Sequence, residues 1–166
     1  MAQTVYSPAI STYEPLETIV LDNAASSVTF FNISQDYRDL VIVANGQTDT
    51  PNSNMQSRFN GDSGSNYSWV YMGGNGSTTF SGATSGTQGD WGNFPNSPSV
   101  SVFQIMDYSD TTKHKTTLVR SNTAATYAIA YANRWASTSA ITMITLNPSG
   151  GAFNSGTTFT LFGIAS

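Results

Sequence analysis

What most constrains this chain is a succession of short segments rich in β-branched and aromatic residues. Turn signals separate them, and no stretch sustains a helical period. Ten segments read as strands: Thr18–Leu21, Ser27–Ile33, Leu40–Ala44, Met55–Phe59, Tyr67–Met72, Val100–Met106, Lys113–Ser121, Ala125–Trp135, Ala140–Leu146 and Thr157–Ile164. Leu40–Ala44 is continuously apolar, which predicts burial on both faces. In Ala125–Trp135, Tyr127, Ile129 and Tyr131 fall on one face and alanines on the other. Asn45-Gly46, Asn60-Gly61 and Asn147-Pro148-Ser149-Gly150-Gly151 mark turns. Roughly nine to ten strands at this spacing predict an all-β chain, an antiparallel two-sheet sandwich of jelly-roll type.

Residues 1–16 are polar and broken by Pro8 and Pro15, which predicts an extended N-terminal arm ahead of a β-sandwich domain over 17–166. Such an arm can add a strand to the sheet edge of a neighbouring copy. This makes Tyr6, Pro8 and Tyr13 candidates for a protein interface. Gly73–Ser99 is dominated by Gly, Ser, Thr and Asn. It reads as a long functional loop, or one holding a short hairpin near Ser77–Phe80. Trp91 and Phe94 lie within it beside Asp90 and Asn93. Two readings stand for this pair: an interface or sugar-stacking anchor, or a cover for the edge of the domain's own core.

Chemistry is sparse. The 166 residues include no cysteine, so disulfides, thiolate nucleophiles and Cys-ligated zinc drop out. The one histidine, His114, carries no flanking motif, and no G-x-S-x-G sequence occurs. The carboxylate pairs Asp36/Asp39 and Asp107/Asp110 sit at turns, where capping the local backbone accounts for them. Asn60–Asn66 has oxygen-bearing residues at alternate positions but lacks the acidic residue that closes a calcium loop. It reads instead as a turn held by Asn60, Asp62 and Asn66 side chains. No catalytic residue, metal or cofactor is expected. Six scattered Lys and Arg and a net charge of −4 disfavour nucleic acid. Lys113 and Lys115 read as one solvated strand face. No apolar run is long enough for a membrane helix, and the first residues have neither the basic nor the apolar region of a signal peptide. Charged residues make up only 10%, against about 25% in an average soluble domain. Uncharged polar surface is cheaper to bury than charge, which suits packing against other copies.

Phe31–Val43, Arg58–Asp62 with Asn66–Trp69, and Ala152–Ile164 together resemble small β-sandwich structural proteins of tailed bacteriophages, including cyanophages and phages of marine bacteria. Phe162 departs from the tyrosine expected there. The resemblance implies a non-enzymatic virion component assembled in the host cytoplasm: a capsid decoration or cement protein, expected as a homotrimer on the major capsid protein or another virion protein. A tail or fibre module that grips host glycan is the alternative. Asp36–Asp39, and Arg58 with Asn60 and Asp62, are implied to be architectural.

Overall fold

The computed structural model describes residues 12–124 and 127–165. They form twelve strands and no helix: β1 (Tyr13–Val20), β2 (Val28–Phe30), β3 (Asp39–Gly46), β4 (Asn54–Phe59), β5 (Tyr67–Gly74), β6 (Thr79–Gly86), β7 (Gly89–Asn93), β8 (Ser99–Met106), β9 (Lys115–Thr123), β10 (Ala128–Trp135), β11 (Ile144–Pro148) and β12 (Thr158–Ile164). All pairings are antiparallel. One sheet has eight strands in the order β1-β12-β3-β8-β9-β10-β5-β6, the other four in the order β2-β11-β4-β7. The chain is thus an all-β, two-sheet sandwich. The aromatic core between the sheets joins Trp91 of β7 to Phe103 of β8, and Phe59 of β4 to Trp135 of β10. β3 lies between β12 and β8, inside the larger sheet. Leu40, Val41, Ile42 and Ala44 of its apolar run are buried there, as the sequence predicts, and Val43 is half-buried.

Several expectations are corrected. Gly73–Ser99 is no long loop: it holds the end of β5, all of β6 and all of β7, and the alternative of a hairpin near Ser77–Phe80 holds, since β5 and β6 pair around that point. The β5–β6 turn is at Asn75–Thr78, where Asn75 Oδ1 accepts from the amides of Ser77 and Thr78. Backbone pairing makes these strands, and their Gly, Ser and Thr residues carry no alternating apolar signal. The segment at 140–146 starts pairing only at Ile144 and runs on to Pro148, because Asn60 Oδ1 captures the amides of Thr142 and Met143. β1 begins at Tyr13, opposite Ile164, so strand pairing enters the segment read as an arm. Residues 1–11, with Tyr6 and Pro8, lie outside the described residues. Lys115 is not solvated: it is buried, and its ammonium donates to the carbonyls of Asp110, Lys113 and Thr138. Lys113 precedes β9 and pairs with Asp107 at 2.7 Å in solvent.

The β4–β5 turn forms as its sequence suggests. Asn60 and Gly61 both take positive φ, 52° and 70°, and the Asp62 amide donates to Phe59 O at 2.9 Å, the geometry of a tight turn with positive φ at both central residues. Asp62 accepts from Trp135 Nε1 at 2.7 Å, the Gly64 amide at 2.8 Å and Asn66 Nδ2 at 2.9 Å. Burial pushes the Asp62 carboxyl up, but these bonds outweigh it and leave its pKa lowered. A carboxyl lowered on folding stabilises the protein above its unfolded value, about 3.9, and loses that contribution as pH falls through the folded value. Asp62→Ala is therefore expected to melt lower than wild type at pH 7. The gap should narrow as pH falls below about 4, in melts at stepped pH. A constant gap would mean that the charge of Asp62 contributes nothing.

Candidate functional site

The larger sheet outruns the smaller one, and this mismatch creates two surfaces. The first is the outer face of β8, β9, β10, β5 and β6. Strand registers align Val102, Arg120, Ala130, Met72 and Ser81 across it. Leu118, Ala132 and Val70 form the next row. Met72 is 68% exposed, Val70 54%, Leu118 43% and Val100 41%. Meanwhile Ser101, Thr117 and Ser121 point inward, and their hydroxyls are buried without partners. A one-residue shift in register would swap those faces, yet the pairing leaves Val100, Leu118, Val70 and Met72 outward while Phe103, Ile105, Val119 and Ile129 fill the core. Part of this face dips into a trough of about 1150 Å³ between Met72, Val100, Arg120 and Ala130. Arg120 and Arg134 are exposed on it, and neither forms an ion pair among the described residues. Arg134 instead bonds His114 Nδ1 at 2.8 Å.

The second surface is a groove of about 540 Å³ on the inner side. There β5 and β6 overhang the edge strand of the small sheet, β7, which packs against β9 and β10. Trp69 and Tyr71 lie on the same face of β5, since they are two residues apart. Tyr71 stacks on Tyr131 of β10 at 5.4 Å and 28°. Phe80 closes one end, edge-on to Tyr127 at 5.8 Å. Gly82 makes room for this arrangement: a Cβ there would stand 2.5 Å from the Tyr71 hydroxyl and displace the ring.

The opposite wall is polar: Asn52, Asn54, Asp90 and Asn93. Asp90 is only 8% exposed. It accepts from Asn54 Nδ2 at 3.0 and 3.2 Å and from the Gly92 amide at 3.0 Å. Burial pushes its carboxyl above the ordinary range despite those bonds. Tyr131 is likewise raised, by burial first and then by the charge of Asp90.

Trp91 and Phe94 do not form this site, although they flank Asp90 and Asn93 in sequence. Both are 0% exposed, packed on Phe103 and Phe153 respectively. The interface or sugar-anchor reading of them is corrected: both side chains pack into the domain's own core, as the alternative reading had it, while Asp90 and Asn93 line the groove. Tyr13 is exposed and meets Phe162 edge-on at 6.3 Å. Arg58 lies on β4 opposite Thr145, with its Nε buried and unpartnered. Asp110 caps Thr112 and Lys113, as expected of a turn carboxylate. Asp39 does more: it is buried and accepts the Asp107 amide at 2.9 Å, so it joins the two turns. Among the described residues, no three His, Asp or Glu side chains gather as a metal-binding group. The groove aromatics Trp69, Tyr71 and Tyr131 were legible only as strand residues; their alternation gave one shared face but not its exposure. No family model matches the chain, and no curated protein matches it significantly.

Proposed function

We propose that this chain is a non-enzymatic structural protein of a bacteriophage particle, a decoration or cement protein that assembles as a trimer on the capsid lattice. The phage setting rests on the resemblance of Phe31–Val43, Arg58–Asp62 with Asn66–Trp69, and Ala152–Ile164. With β5–β6 and β9–β10 set aside as inserted hairpins, the nested pairings β1–β12, β2–β11, β3–β8 and β4–β7 follow jelly-roll order.

The observation that carries the assembly reading is the apolar outer face. Its five strands, about 4.8 Å apart and about 26 Å long, span on the order of 600 Å², approaching the roughly 800 Å² that a standard interface takes from each partner. Apolar patches of several hundred Å² mark contact surfaces. The occupant is a second copy, by charge: Arg120 and Arg134 lie on this face, whereas Glu14 and Glu17 are exposed on β1 at the far edge of the same sheet. Matching one patch to a different one is a heterologous contact, which gives a ring such as a trimer when its rotation closes and an open filament when it does not.

Sedimentation velocity tests this. Wild type should sediment as a trimer, and Met72→Glu/Leu118→Glu as a monomer with an unchanged circular dichroism spectrum. A monomeric wild type at tens of micromolar rejects self-assembly through this face. A density map of the particle would separate capsid from tail placement. The groove favours a second reading, a tail or fibre module that recognises host-surface glycan.

A further inference from the structure

We propose that the groove between β7 and the overhanging β5–β6 hairpin binds a neutral saccharide: Trp69 and Tyr71 stack on its rings, and Asp90, Asn54 and Asn93 bond its hydroxyls. This rests on the glycan reading only for its biological setting, and it holds for a decoration protein as well as for a tail module.

The chemistry of the two walls points to this ligand. A sugar ring presents a flat face of C–H bonds and an equatorial belt of hydroxyls that both donate and accept. The β5 wall supplies flat apolar faces at Trp69 and Tyr71, about 6.7 Å apart along the strand. The β7 wall supplies side-chain amides, which donate and accept, and a carboxylate, which accepts. Among the described residues no hydrogen bond engages the side chains of Asn52 and Asn93 or the hydroxyls of Tyr71 and Tyr131, so all four are free to meet a ligand. The volume of about 540 Å³ falls within the range of about 300–1,000 Å³ usual for small-ligand sites.

Charge narrows the class. No Lys or Arg lines the groove, so nothing there would neutralise a phosphate, sulfate or uronate, and Asp90 would repel one. Asp90 is also held where folding gains little from it. Burial raises its pKa, so ionising it opposes the native state as pH rises from the unfolded value through the folded one. A buried carboxylate kept at such a cost at the wall of a groove suits a binding role.

The test uses the full chain on an array of neutral and uronic-acid polysaccharides, followed by calorimetric titration with the strongest neutral oligosaccharide. Wild type should bind at least one neutral glycan. Asp90→Asn should weaken binding at least tenfold while melting no lower than wild type at pH 7. Tyr71→Ala should weaken binding as much, with Asn52→Ala/Asn93→Ala as the surface variant if Tyr71→Ala, which loses the packing on Tyr131, does not fold. Arg120→Ala, on the opposite face, should bind like wild type. Three results would overturn the proposal: no neutral glycan bound by wild type, binding confined to acidic glycans, or binding untouched by the groove variants. The oligomer measured by sedimentation has no bearing on these outcomes, so either proposal can fail alone.

Discussion

A Trp91→Ala variant is expected to lose about 3–5 kcal/mol of stability, the range for deleting a fully buried large aromatic. A domain of this kind has only about 5–15 kcal/mol in total, so the variant should sit close to unfolding. The loss follows from position. Trp91 is the centre of the contact between the sheets: its ring lies 3.9 Å from Phe103 on the large sheet and 6.2 Å from Phe59 on the small one. Its removal empties the space that holds β7 against β8. Because β7 also presents Asp90, the groove should lose its polar wall together with the core. One detail separates packing from hydrogen bonding. Trp91 Nε1 is buried without a partner, so Trp91→Phe discards an unsatisfied donor and should cost clearly less than alanine. Urea midpoints at constant slope measure both. A loss under about 1 kcal/mol for Trp91→Ala would contradict its place in the core.

The second large effect is expected at Asn60, where alanine should cost about 2–4 kcal/mol by removing its side-chain hydrogen bonds. At φ 52° the asparagine β-carbon already crowds the following carbonyl, at about 1 kcal/mol or more, and alanine keeps that strain. The side chain also ties the β4–β5 turn to the segment before β11. Its Oδ1 accepts from the Thr142 amide at 2.9 Å and the Met143 amide at 3.1 Å, and its Nδ2 donates to Ala140 O at 2.7 Å. Asn60→Gly relieves the backbone strain but keeps the loss of bonds, so it should be less damaging than alanine by about 1 kcal/mol. Equal losses for the two variants would mean that the backbone carries no such strain.

Much of the fold was legible because it is written in local chemistry. Tyr67–Met72, Val100–Met106 and Thr157–Ile164 alternate clearly, and each is a strand core. Asn60-Gly61 and Asp62 announced their turn, since positive φ and short polar side chains are properties of those residues alone. β6 was hidden for the opposite reason. Its Gly, Ser and Thr residues are strand only because β5 pairs with them along their length. Lys115 was misplaced because a long cation reads as solvated unless the carbonyls of Asp110, Lys113 and Thr138 are known to converge on it.

The surfaces were the least legible part. A period of two tells which residues share a face but not which face is covered. The sequence by itself determined an all-β chain, the positions of most strands, the tight turn at Asn60 and the pairing of Trp69 with Tyr71 on one side of β5. Only the tertiary structure decided that Val100 and Leu118 face outward while Ser101 and Thr117 face inward. It alone turned Trp91 into the core and left Asp90 beside it on the wall of a groove. The reason is geometric: the groove joins residues 52–54, 69–80, 90–93 and 127–131, and what brings them together is the unequal width of two sheets, a property that no single strand carries.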